Sequence, residues 1–474
     1  MRVSKMEKLK IPIKLTHQAT IPLYQQLANQ LRALIKQQYW QIDERLPAIR
    51  QLADDLKINP VTVISAYRSL MMTGEVISRR GSGYYVHQLP QGIVEANQHR
   101  VEESHQLPAA ERMIDFASYS LHPERVAVAE IKQAVDHVLA DAGGEAFTVN
   151  DPMGLFSLRQ TIRDYLNHNQ IVTSPDLIQI TSGSQQAIDL CARTLLHPGD
   201  IVLMQNPSYS GAIDAFRASG PHIIGISPEP SEEFIATLEA KIKLFQPKLL
   251  YLMSNMANPT GFSLTDQQKH QIYGLAHHYD LWIIEDDYGV DVSGDWQPTT
   301  IKMFDRDERV IYLRSLSRIL AAGIRLGYMV LPQGMVERIV NAKQIADLST
   351  SGLAQRIFEQ CLTSQSWQRY LHRSQMVYQR QYRLVNQLLK ESQLPITWQA
   401  VDHCSWFWLK LSVDSSAKDV CQQARQAGVL VENGDRYFVD QQPDQYLRLS
   451  LAPAKDSQIE VGVERLIEII SRLD

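Results

Sequence analysis

Cysteine is sparse in this chain, and its few positions follow no pattern. Cys191, Cys361, Cys404 and Cys421 are scattered over 474 residues without Cys-x-x-Cys spacing. This usage favours a reducing, cytoplasmic setting and argues against both a disulfide framework and a zinc site. Long apolar runs are missing as well, since none approaches the roughly 18 residues that a membrane span needs. The basic first ten residues lack the apolar stretch of a secretory signal, so we expect a protein with no membrane anchor.

The N-terminal end is basic although the whole chain is acidic. With 44% hydrophobic and 21% charged residues, the chain has enough apolar material for two or three soluble domains. Residues 1–90 contain 13 Lys and Arg against 6 Asp and Glu, a net of +7, and the remainder has a net of −12. A basic small module joined to an acidic large one indicates that a polyanion binds at the N-terminal end. Charge alone leaves open that the asymmetry is a chance property of the surface.

Three helices and a β-ribbon are predicted in the first 90 residues. Apolar side chains recur at helical spacing in three segments, and two short apolar runs flank a turn, Arg80-Gly-Ser-Gly83, that tolerates positive φ. The predicted helices are residues 21–39, 47–56 and 60–72, and the predicted strands are residues 76–79 and 84–86. Three helices followed by a β-ribbon make a winged helix-turn-helix, which places its third helix in the major groove of DNA.

This module resembles the GntR family of bacterial repressors over residues 20–87. The resemblance rests on Leu46-Pro-Ala-Ile-Arg50, on the stretch from Asn59-Pro-Val-Thr62 to Arg68, and on Arg79-Arg-Gly-Ser-Gly-Tyr84. It implies that the third helix reads base edges and that the wing meets phosphate or the minor groove. The implied DNA contacts are Arg50, Asn59, Thr62, Tyr67, Arg79, Arg80, Ser82 and Gly83. Asn59-Pro60 replaces the Ser-Arg of many members, so the operator sequence does not follow. A winged helix used for protein contacts is the alternative.

The rest of the chain reads as a linker followed by an α/β domain. Residues 88–112 have weak periodicity and many Gln, Glu, His, Pro and Ala residues, which is typical of a linker. Beyond them, helical patterns alternate with short apolar runs, which predicts a mostly parallel sheet. The runs are residues 177–180, 201–204, 222–226, 249–252, 281–284, 310–313 and 327–331. We expect a reader domain at 1–87, the linker at 88–112, and an effector domain at 113–474 whose smaller α+β subdomain begins near residue 355.

Six separated segments of the large domain resemble the cofactor pocket of fold-type I aminotransferases, which use pyridoxal 5′-phosphate (PLP). They are Asp151–Arg159, Thr181–Ala187, Pro207–Tyr209, Asn258–Gly261, Ile284–Tyr288 and Val310–Tyr328. Each segment alone is weak, because Asn-Pro-Thr-Gly is often only a turn and Asp-Asp-Tyr only a strand end. Their shared order over about 180 residues makes the resemblance specific, and it implies the fold of those enzymes.

The resemblance implies a role for each matching residue. The positions implied to hold the cofactor are Ser184, Gln185, Tyr209, Asn258, Asp286, Tyr288, Ser315, Ser317 and Arg325. Ser184 and Arg325 would hold the phosphate at the start of a helix. Tyr209 would stack on the ring, Asp286 would pair with the ring nitrogen, and Asn258 and Tyr288 would contact the 3′ oxygen. Arg448, in Tyr446-Leu-Arg-Leu-Ser450, would grip an effector carboxylate as a bidentate fork; a surface ion pair is the alternative.

Arginine occupies the position of the cofactor lysine. In the family a Ser-x-Ser-Lys turn supplies the amine for a Schiff base with PLP, and here the turn is Ser315-Leu-Ser-Arg318. A guanidinium stays protonated at any accessible pH and therefore does not form an imine. The replacement keeps a positive charge and removes covalent catalysis. We expect that no catalytic residue remains and that PLP, if it is bound, is held non-covalently.

Three interpretations of Arg318 stay open. In the first, PLP is held by phosphate contacts, Asp286 and Tyr209. In the second, Arg318 fills the pocket by pairing with Asp286, and the effector is another small anion or an amino acid. In the third, the arginine is an engineered replacement of lysine. Two neighbouring departures favour natural drift: Leu316 replaces an aromatic residue, and Arg314, expected to add a second charge near the pocket, replaces a small one.

Fusion of a GntR reader to an aminotransferase-like domain is the architecture of the MocR/GabR family of bacterial regulators, which this chain resembles over nearly its whole length. The resemblance implies a cytoplasmic transcription regulator, nucleoid-associated when bound to a double-stranded operator. Its large domain would sense PLP, an amino acid or a related amine or anion without transaminase turnover. It also implies a homodimer of the head-to-tail type. The alternatives are a PLP-dependent aminotransferase that retains a DNA-binding domain, and a scaffold with neither activity.

Overall fold

The chain divides into two compact units, residues 1–107 and 108–474, and each is considered by itself. The computed structural model describes residues 12–13, 15–16, 22–36, 39–41, 44–72, 76–79, 83–86, 113–227, 229, 231, 233–288, 298–316, 321–401, 404–412, 415–440 and 444–473. Arg80, Ser82, Ser317 and Arg318 lie outside the described residues, as does the side chain of Arg79. The expectations placed on these residues stay predictions.

The N-terminal unit is a three-helix module with a two-stranded wing. Its elements are α1 (Leu23–Lys36), α2 (Ile49–Leu56), α3 (Pro60–Met72), β1 (Val76–Arg79) and β2 (Gly83–Val86). The helical spacing of apolar residues buries one stripe of each helix, and Leu31, Leu52 and Leu70 are fully buried in the shared core. α2 begins two residues later than expected, because Ala48 has extended backbone with φ −62° and ψ 143°.

The C-terminal unit contains twelve strands and eleven α-helices among its described residues. The strands are β3 (Ile114–Asp115), β4 (Ile178–Thr181), β5 (Ile201–Gln205), β6 (His222–Ile226), β7 (Leu249–Leu252), β8 (Trp282–Asp287), β9 (Val310–Ser315), β10 (Gly327–Val330), β11 (Trp406–Lys410), β12 (Val429–Leu430), β13 (Glu432–Asn433) and β14 (Tyr446–Ser450). The helices are α4 (Val128–Ala142), α5 (Phe156–His168), α6 (Ser184–Leu195), α7 (Ser210–Ser219), α8 (Phe234–Phe245), α9 (Asp266–His278), α10 (Val336–Asp347), α11 (Gly352–Thr363), α12 (Gln365–Glu391), α13 (Ala417–Gln426) and α14 (Ile459–Leu473).

Seven strands form the central sheet, in the order β4-β10-β9-β8-β7-β5-β6. Five of them, from β9 to β6, run parallel, and β10 is antiparallel to both of its neighbours. Each of the seven apolar runs in the sequence corresponds to one strand of this sheet. Helices α6 and α7 pack on one face, and α8 and α9 pack on the other. Because parallel strands end at one edge of a sheet, the loops after β5, β7, β8 and β9 meet there.

A smaller subdomain is built from the C-terminal elements and one N-terminal strand. Strands β11, β14 and β13 form an antiparallel sheet, and the short β12 pairs in parallel with β3. The apolar core of this subdomain joins α12, α13 and α14 with Ile114 and Phe116, which come from the beginning of the unit. No helix in the described ranges is both long and apolar enough to cross a membrane.

Candidate DNA-binding and effector sites

Three of the expected DNA contacts lie at the N-terminal ends of α2 and α3. Arg50 is exposed in the first turn of α2, and Thr62 is partly exposed in the first turn of α3. Asn59 precedes α3, and its Oδ1 accepts a hydrogen bond of 2.8 Å from the backbone N–H of Val61. Asn59 therefore caps the helix whose first turn would face the bases. The start of this helix is thereby held in a fixed geometry.

Tyr67 belongs to the core of the reader rather than to its surface. Its side chain is fully buried, and its hydroxyl donates a hydrogen bond of 2.8 Å to the carbonyl oxygen of Pro47. Burial, with a smaller contribution from Tyr84, raises the pKa of Tyr67. The expectation that Tyr67 contacts DNA is therefore corrected. The Tyr67 side chain holds the segment before α2 in place, so it can affect DNA binding only by stabilising the fold of the reader.

Arg45 is a basic residue of the wing that the sequence analysis missed. Its segment pairs with the ribbon, since the N–H of Leu46 donates to Tyr84 O and the N–H of Val86 donates to Glu44 O, both at 2.9 Å. Gly83 has a φ of +123°, and a Cβ there would lie 3.0 Å from Arg45 Nε. The exposed side chain of Arg45 thus lies beside Gly83, at the end of β2 that adjoins the turn of the wing. In the sequence, Arg45 is marked only as a basic residue next to Leu46, and no motif connects it with the wing.

In the C-terminal unit, the start of α6 and Arg325 form a site suited to phosphate. Strand β4 ends at Thr181, and Gly183 precedes the helix with a φ of +90°. A Cβ at Gly183 would lie 2.8 Å from Arg325 Nη2, and Arg325 donates to Ser182 O at 3.4 Å. A guanidinium beside the N–H groups of a helix start favours an anion. The structure therefore places Arg325 beside Ser182 and Gly183, immediately before Ser184.

Gln185 ties the beginnings of α6 and α7 together. Its Nε2 donates to Gly211 O at 2.8 Å, and its Oε1 accepts from the Tyr209 hydroxyl at 3.1 Å. A Cβ at Gly211 would lie 2.3 Å from Gln185 Oε1 and 2.7 Å from Tyr209 Oη, so only glycine fits there. The ring of Tyr209 is thus held at the edge of the sheet, next to the phosphate site.

Asp286 has a buried carboxylate oxygen without a hydrogen-bond partner among the described residues. It lies near the end of β8, where its Oδ2 accepts a hydrogen bond of 2.7 Å from the Tyr251 hydroxyl while its Oδ1 is buried without a partner. Burial raises the pKa of Asp286 to about 6; the bond from Tyr251 lowers it, and Asp287 adds to the increase. An unpaired buried oxygen fits the protonated nitrogen of a pyridine ring.

Asn258 connects the expected cofactor site with the expected carboxylate site. Its Oδ1 accepts a hydrogen bond of 3.1 Å from Arg448 Nε, and the bond from Asn258 to Pro259 is cis. Pro259 O in turn accepts from Trp406 Nε1 at 2.8 Å, and the Tyr288 ring lies 6.2 Å from the Trp406 ring. These contacts place Asn258 and Tyr288 beside the small subdomain, where Arg448 is found.

Arg448 is fully buried among groups that the sequence analysis did not identify. Its guanidinium carbon lies 4.7 Å from the centre of the Tyr119 ring and 6.0 Å from that of Tyr437, and its Nη1 lies 3.5 Å from Glu432 Oε2. Burial opposes the charge, but the neighbouring Tyr437, Tyr119 and Glu432 raise the pKa of Arg448. More than three hundred residues separate Tyr119 from this cluster in the sequence, so no local pattern could connect them.

Arg314 does not add a free second charge near the expected cofactor pocket, contrary to expectation. Its Nη1 is bonded to Asp287 Oδ2, and both side chains are buried. Asp287 follows Asp286 in β8, so the two carboxylates point to opposite faces of the sheet. Arg314 lines a cavity of about 530 Å³ together with Tyr312 and Trp367. Its charge is therefore neutralised within the core on the other face. Ser315, the last expected cofactor contact before the undescribed turn, is 5% exposed at the end of β9.

Comparison with known protein families identifies a family for each of the two domains. Residues 111–466 match the family described as aminotransferase class I and II, and the chain belongs to that family. Residues 23–86 match the gntR family of bacterial regulatory proteins. The chain therefore combines a GntR helix-turn-helix domain with a fold-type I aminotransferase domain, which is a MocR-like architecture.

Whole-length relatives share both domains. The HTH-type transcriptional regulator YdfD of Bacillus subtilis is 28% identical, over 96% of this chain and 97% of its own length. The HTH-type transcriptional regulator YdcR of Escherichia coli is 27% identical, over 94% and 98%. Among solved structures, the α-aminoadipate aminotransferase LysN of Thermus thermophilus, complexed with N-(5′-phosphopyridoxyl)-L-leucine, aligns with a TM-score of 0.72 and 26% identity, covering 80% of this chain and 98% of its own.

Proposed function

We propose that this protein is a transcription regulator whose aminotransferase-like domain senses a small effector without transaminase turnover. The observation that carries the proposal is the combination of a GntR reader with an aminotransferase domain that has arginine at position 318. We assign the reader to residues 1–87, the linker to 88–112 and the effector domain to 113–474. The protein would work in the cytoplasm and join the nucleoid when it binds its operator.

The reader is proposed to bind duplex DNA through the N-terminal ends of α2 and α3 and through the wing. Arg50 and Thr62 are accessible there, and Arg45 adds a charge beside Gly83, next to the turn of the wing. Arg79, Arg80, Ser82 and Gly83 would complete the contact with phosphate or the minor groove. The net charge of +7 over residues 1–90 supports this assignment.

The effector pocket is proposed to bind PLP or a related molecule without a covalent bond. LysN is a similar protein whose structure contains a phosphopyridoxyl group. In this chain Ser184 and Arg325 would hold the phosphate, Tyr209 would face the ring, and Asp286 would pair with the ring nitrogen. The remaining expected contacts are Gln185, Asn258, Tyr288, Ser315 and Ser317. PLP supplies an electron-withdrawing ring and a reactive carbonyl, but Arg318 has no neutral amine to attack that carbonyl.

No described lysine of the core offers a substitute amine. Lys302 donates to Asp305 Oδ2 at 2.8 Å and to Val310 O at 2.7 Å. Lys343 is paired with Asp347, and Lys269 donates to Asn255 Oδ1 at 2.7 Å. The three amines are held by neighbours, which supports the absence of turnover. The test is steady-state formation of keto acid from a panel of amino acids with added PLP. We expect no rate above that of free PLP, and a protein-dependent rate would establish the enzyme alternative.

The protein is also proposed to form a homodimer, in which the family's head-to-tail arrangement is the expected one. Two neighbouring segments of the large domain carry exposed apolar side chains: Phe147 and Val149 are 67% and 76% exposed, and Ile345 and Leu348 are 88% and 65% exposed. The segments are joined by a hydrogen bond of 3.4 Å from the N–H of Asn150 to Ser349 Oγ. Exposed apolar side chains on neighbouring segments support the proposal that this part of the surface is a protein interface.

A further inference from the structure

Arg448 has a partner of opposite charge built into the strand beside it. Glu432 in β13 and Arg448 in β14 are directly opposite in the antiparallel register. Side chains opposite each other on neighbouring strands share one face of the sheet, so the backbone itself sets this pair. Nη1 of Arg448 lies 3.5 Å from Glu432 Oε2, and Nε of Arg448 is bonded to Asn258 at 3.1 Å. Two of the three guanidinium nitrogens are therefore engaged by side chains of this chain.

The Glu432 carboxylate is held in place by donors on both of its oxygens. Oε2 accepts from the Tyr437 hydroxyl at 2.6 Å as well as facing Arg448. Oε1 accepts from the Tyr119 hydroxyl at 3.3 Å and from Arg436 Nη1 at 3.2 Å. The side chain is only 10% exposed. Four donors from three segments of the domain thus fix the carboxylate beside the arginine, where a ligand's carboxylate would otherwise bind.

Tyr119 covers the arginine from another direction. Its ring lies 4.7 Å from the Arg448 guanidinium carbon, and its hydroxyl is bonded to that of Tyr437. Tyr119 is 36% exposed, whereas Arg448 is 1% exposed. The aromatic face satisfies part of the charge of the guanidinium and keeps water away from it. A ligand that approaches on this side meets Tyr119 before it meets Arg448.

We propose that Glu432 is a built-in carboxylate that excludes ligand carboxylates from Arg448, so that the effector site selects molecules without a carboxylate. This proposal rests on the proposed function, since it concerns the same site. Of the five N–H groups of the guanidinium, the one on Nε is bonded to Asn258 and one on Nη1 is directed at Glu432, so a ligand carboxylate would have to bind through the remaining three, beside the Glu432 carboxylate. A second carboxylate placed there would also meet the like charge of Glu432. The favoured ligands are amines, amides and phosphate esters whose anion is held by Ser184 and Arg325.

The proposal is tested with the full-length protein by isothermal titration calorimetry. The probes are L-alanine, L-leucine and L-phenylalanine, each compared with its primary amide, which has nearly the same shape and no negative charge. Glu432→Gln keeps the acceptor for Tyr437 and removes the charge. We expect the wild type to bind none of the three acids more tightly than its amide. We expect Glu432→Gln to bind at least one acid about tenfold more tightly than the wild type does.

Two further variants show that any gain comes from Arg448. Glu432→Gln combined with Arg448→Lys should lose the gain, because lysine offers no bidentate fork. Glu130→Gln is the matched control, since Glu130 is also a partly buried partner of an arginine, Arg373, at 2.9 Å. Should Glu432→Gln fold poorly, Tyr119→Phe removes one donor to Glu432 without changing charge, and a smaller gain in the same direction is expected.

Several outcomes would overturn the proposal. The first is a wild-type protein that binds one of the acids as tightly as Glu432→Gln does. The second is a folded Glu432→Gln variant whose affinity for all three acids is unchanged. The third is a gain in acid affinity in Glu130→Gln that equals the gain in Glu432→Gln. Retention of operator DNA by the same proteins is measured separately. If the wild-type protein does not retain DNA, the proposed regulator function is wrong. The comparison of acid and amide binding still tests the role of Glu432.

Discussion

The Tyr251 hydroxyl donates a hydrogen bond of 2.7 Å to one carboxylate oxygen of Asp286, and the other oxygen of Asp286 is buried without a partner among the described residues. A buried acceptor left in this way destabilises the ligand-free protein. A ligand that donates a hydrogen bond to this oxygen would complete the arrangement, and the phosphate site proposed at Ser184 and Arg325 would suit the same ligand. An unpaired oxygen of this kind supports the proposal that the pocket binds a pyridine-type ligand, with Arg318 at the position that the resemblance gives to lysine.

Replacing Arg318 with lysine should restore covalent attachment of PLP. The residues proposed to hold the cofactor, among them Ser184, Tyr209 and Asp286, are present in the chain, and the substitution returns the missing amine. We expect a new visible absorbance band on addition of PLP that disappears on borohydride reduction and leaves the cofactor bound to the chain by mass spectrometry. Arg318→Gln is the control and should show neither change. A lysine variant that stays colourless in excess PLP would mean that the pocket has been rebuilt for another ligand.

Asp286→Asn should stabilise the ligand-free protein at alkaline pH and weaken PLP binding. The pKa of Asp286 rises from 3.8 to about 6 on folding. Since the folded state holds the proton more tightly, the wild type loses stability as pH rises from about 4 to about 6. The neutral amide avoids this loss, so the variant should gain roughly 2 kcal/mol relative to the wild type between pH 4 and 8.

Urea denaturation at pH 4 and at pH 8 measures this gain in the free energy of unfolding. Asp136→Asn, a substitution at an exposed residue, provides the control. Addition of PLP should then raise the unfolding temperature of the wild type more than that of Asp286→Asn. If the two proteins show the same dependence of stability on pH, Asp286 is not the buried charge that the structure describes.

Tyr67→Phe should weaken the fold of the reader without removing a DNA contact. The change deletes the hydrogen bond from Tyr67 to Pro47 O and should cost about 1 kcal/mol of stability. Tyr24→Phe, at a residue that is 38% exposed, should cost nothing measurable. The unfolding midpoints of the variants are compared with that of the wild type. Their DNA affinities are measured at a temperature below the unfolding transition. If Tyr67→Phe lowers the affinity for DNA and leaves the unfolding midpoint unchanged, Tyr67 contacts DNA after all.

Val149→Asp combined with Ile345→Asp should dissociate the homodimer. The two side chains are among the most exposed apolar groups of the large domain, and burying a carboxylate in an interface is unfavourable. Sedimentation velocity should show a monomer for the double variant and a dimer for Leu244→Asp, which alters another exposed apolar residue, 73% exposed. A dimer that persists in the double variant at low micromolar concentration would place the interface elsewhere.

Local sequence patterns predicted most of the fold but few of its long-range contacts. All seven strands of the large sheet followed from short apolar runs, because buried strands need continuous apolar residues. Their order, and the antiparallel direction of β10, depend on the packing of helices between strands. Ser184, Tyr209, Asn258 and Asp286 were assigned through motifs, and each lies at or beyond the end of a strand at the same edge of the sheet. Arg325 was found as part of the lysine segment.

The cluster around Arg448 could not be predicted in this way. Glu432 faces Arg448 through the register of two short strands, and Tyr119 reaches both from the other end of the domain. Tyr67 was assigned to DNA because it lies on the recognition helix, yet its place on the inner face of α3 buries it completely. Arg314 was expected near the cofactor, but strand alternation directs it to Asp287 on the other face.

The most direct test of the account is binding of the full-length protein to a duplex selected from a random pool, followed by fluorescence anisotropy. The wild type should bind the selected duplex at least about a hundredfold more tightly than a scrambled one at physiological salt. Arg50→Ala should lose much of this preference, whereas Lys132→Ala, an exposed basic residue of the effector domain, should keep it. A folded wild type that yields no preferred duplex, or an Arg50→Ala variant with unchanged preference, would contradict the assignment of this protein as a DNA-binding regulator.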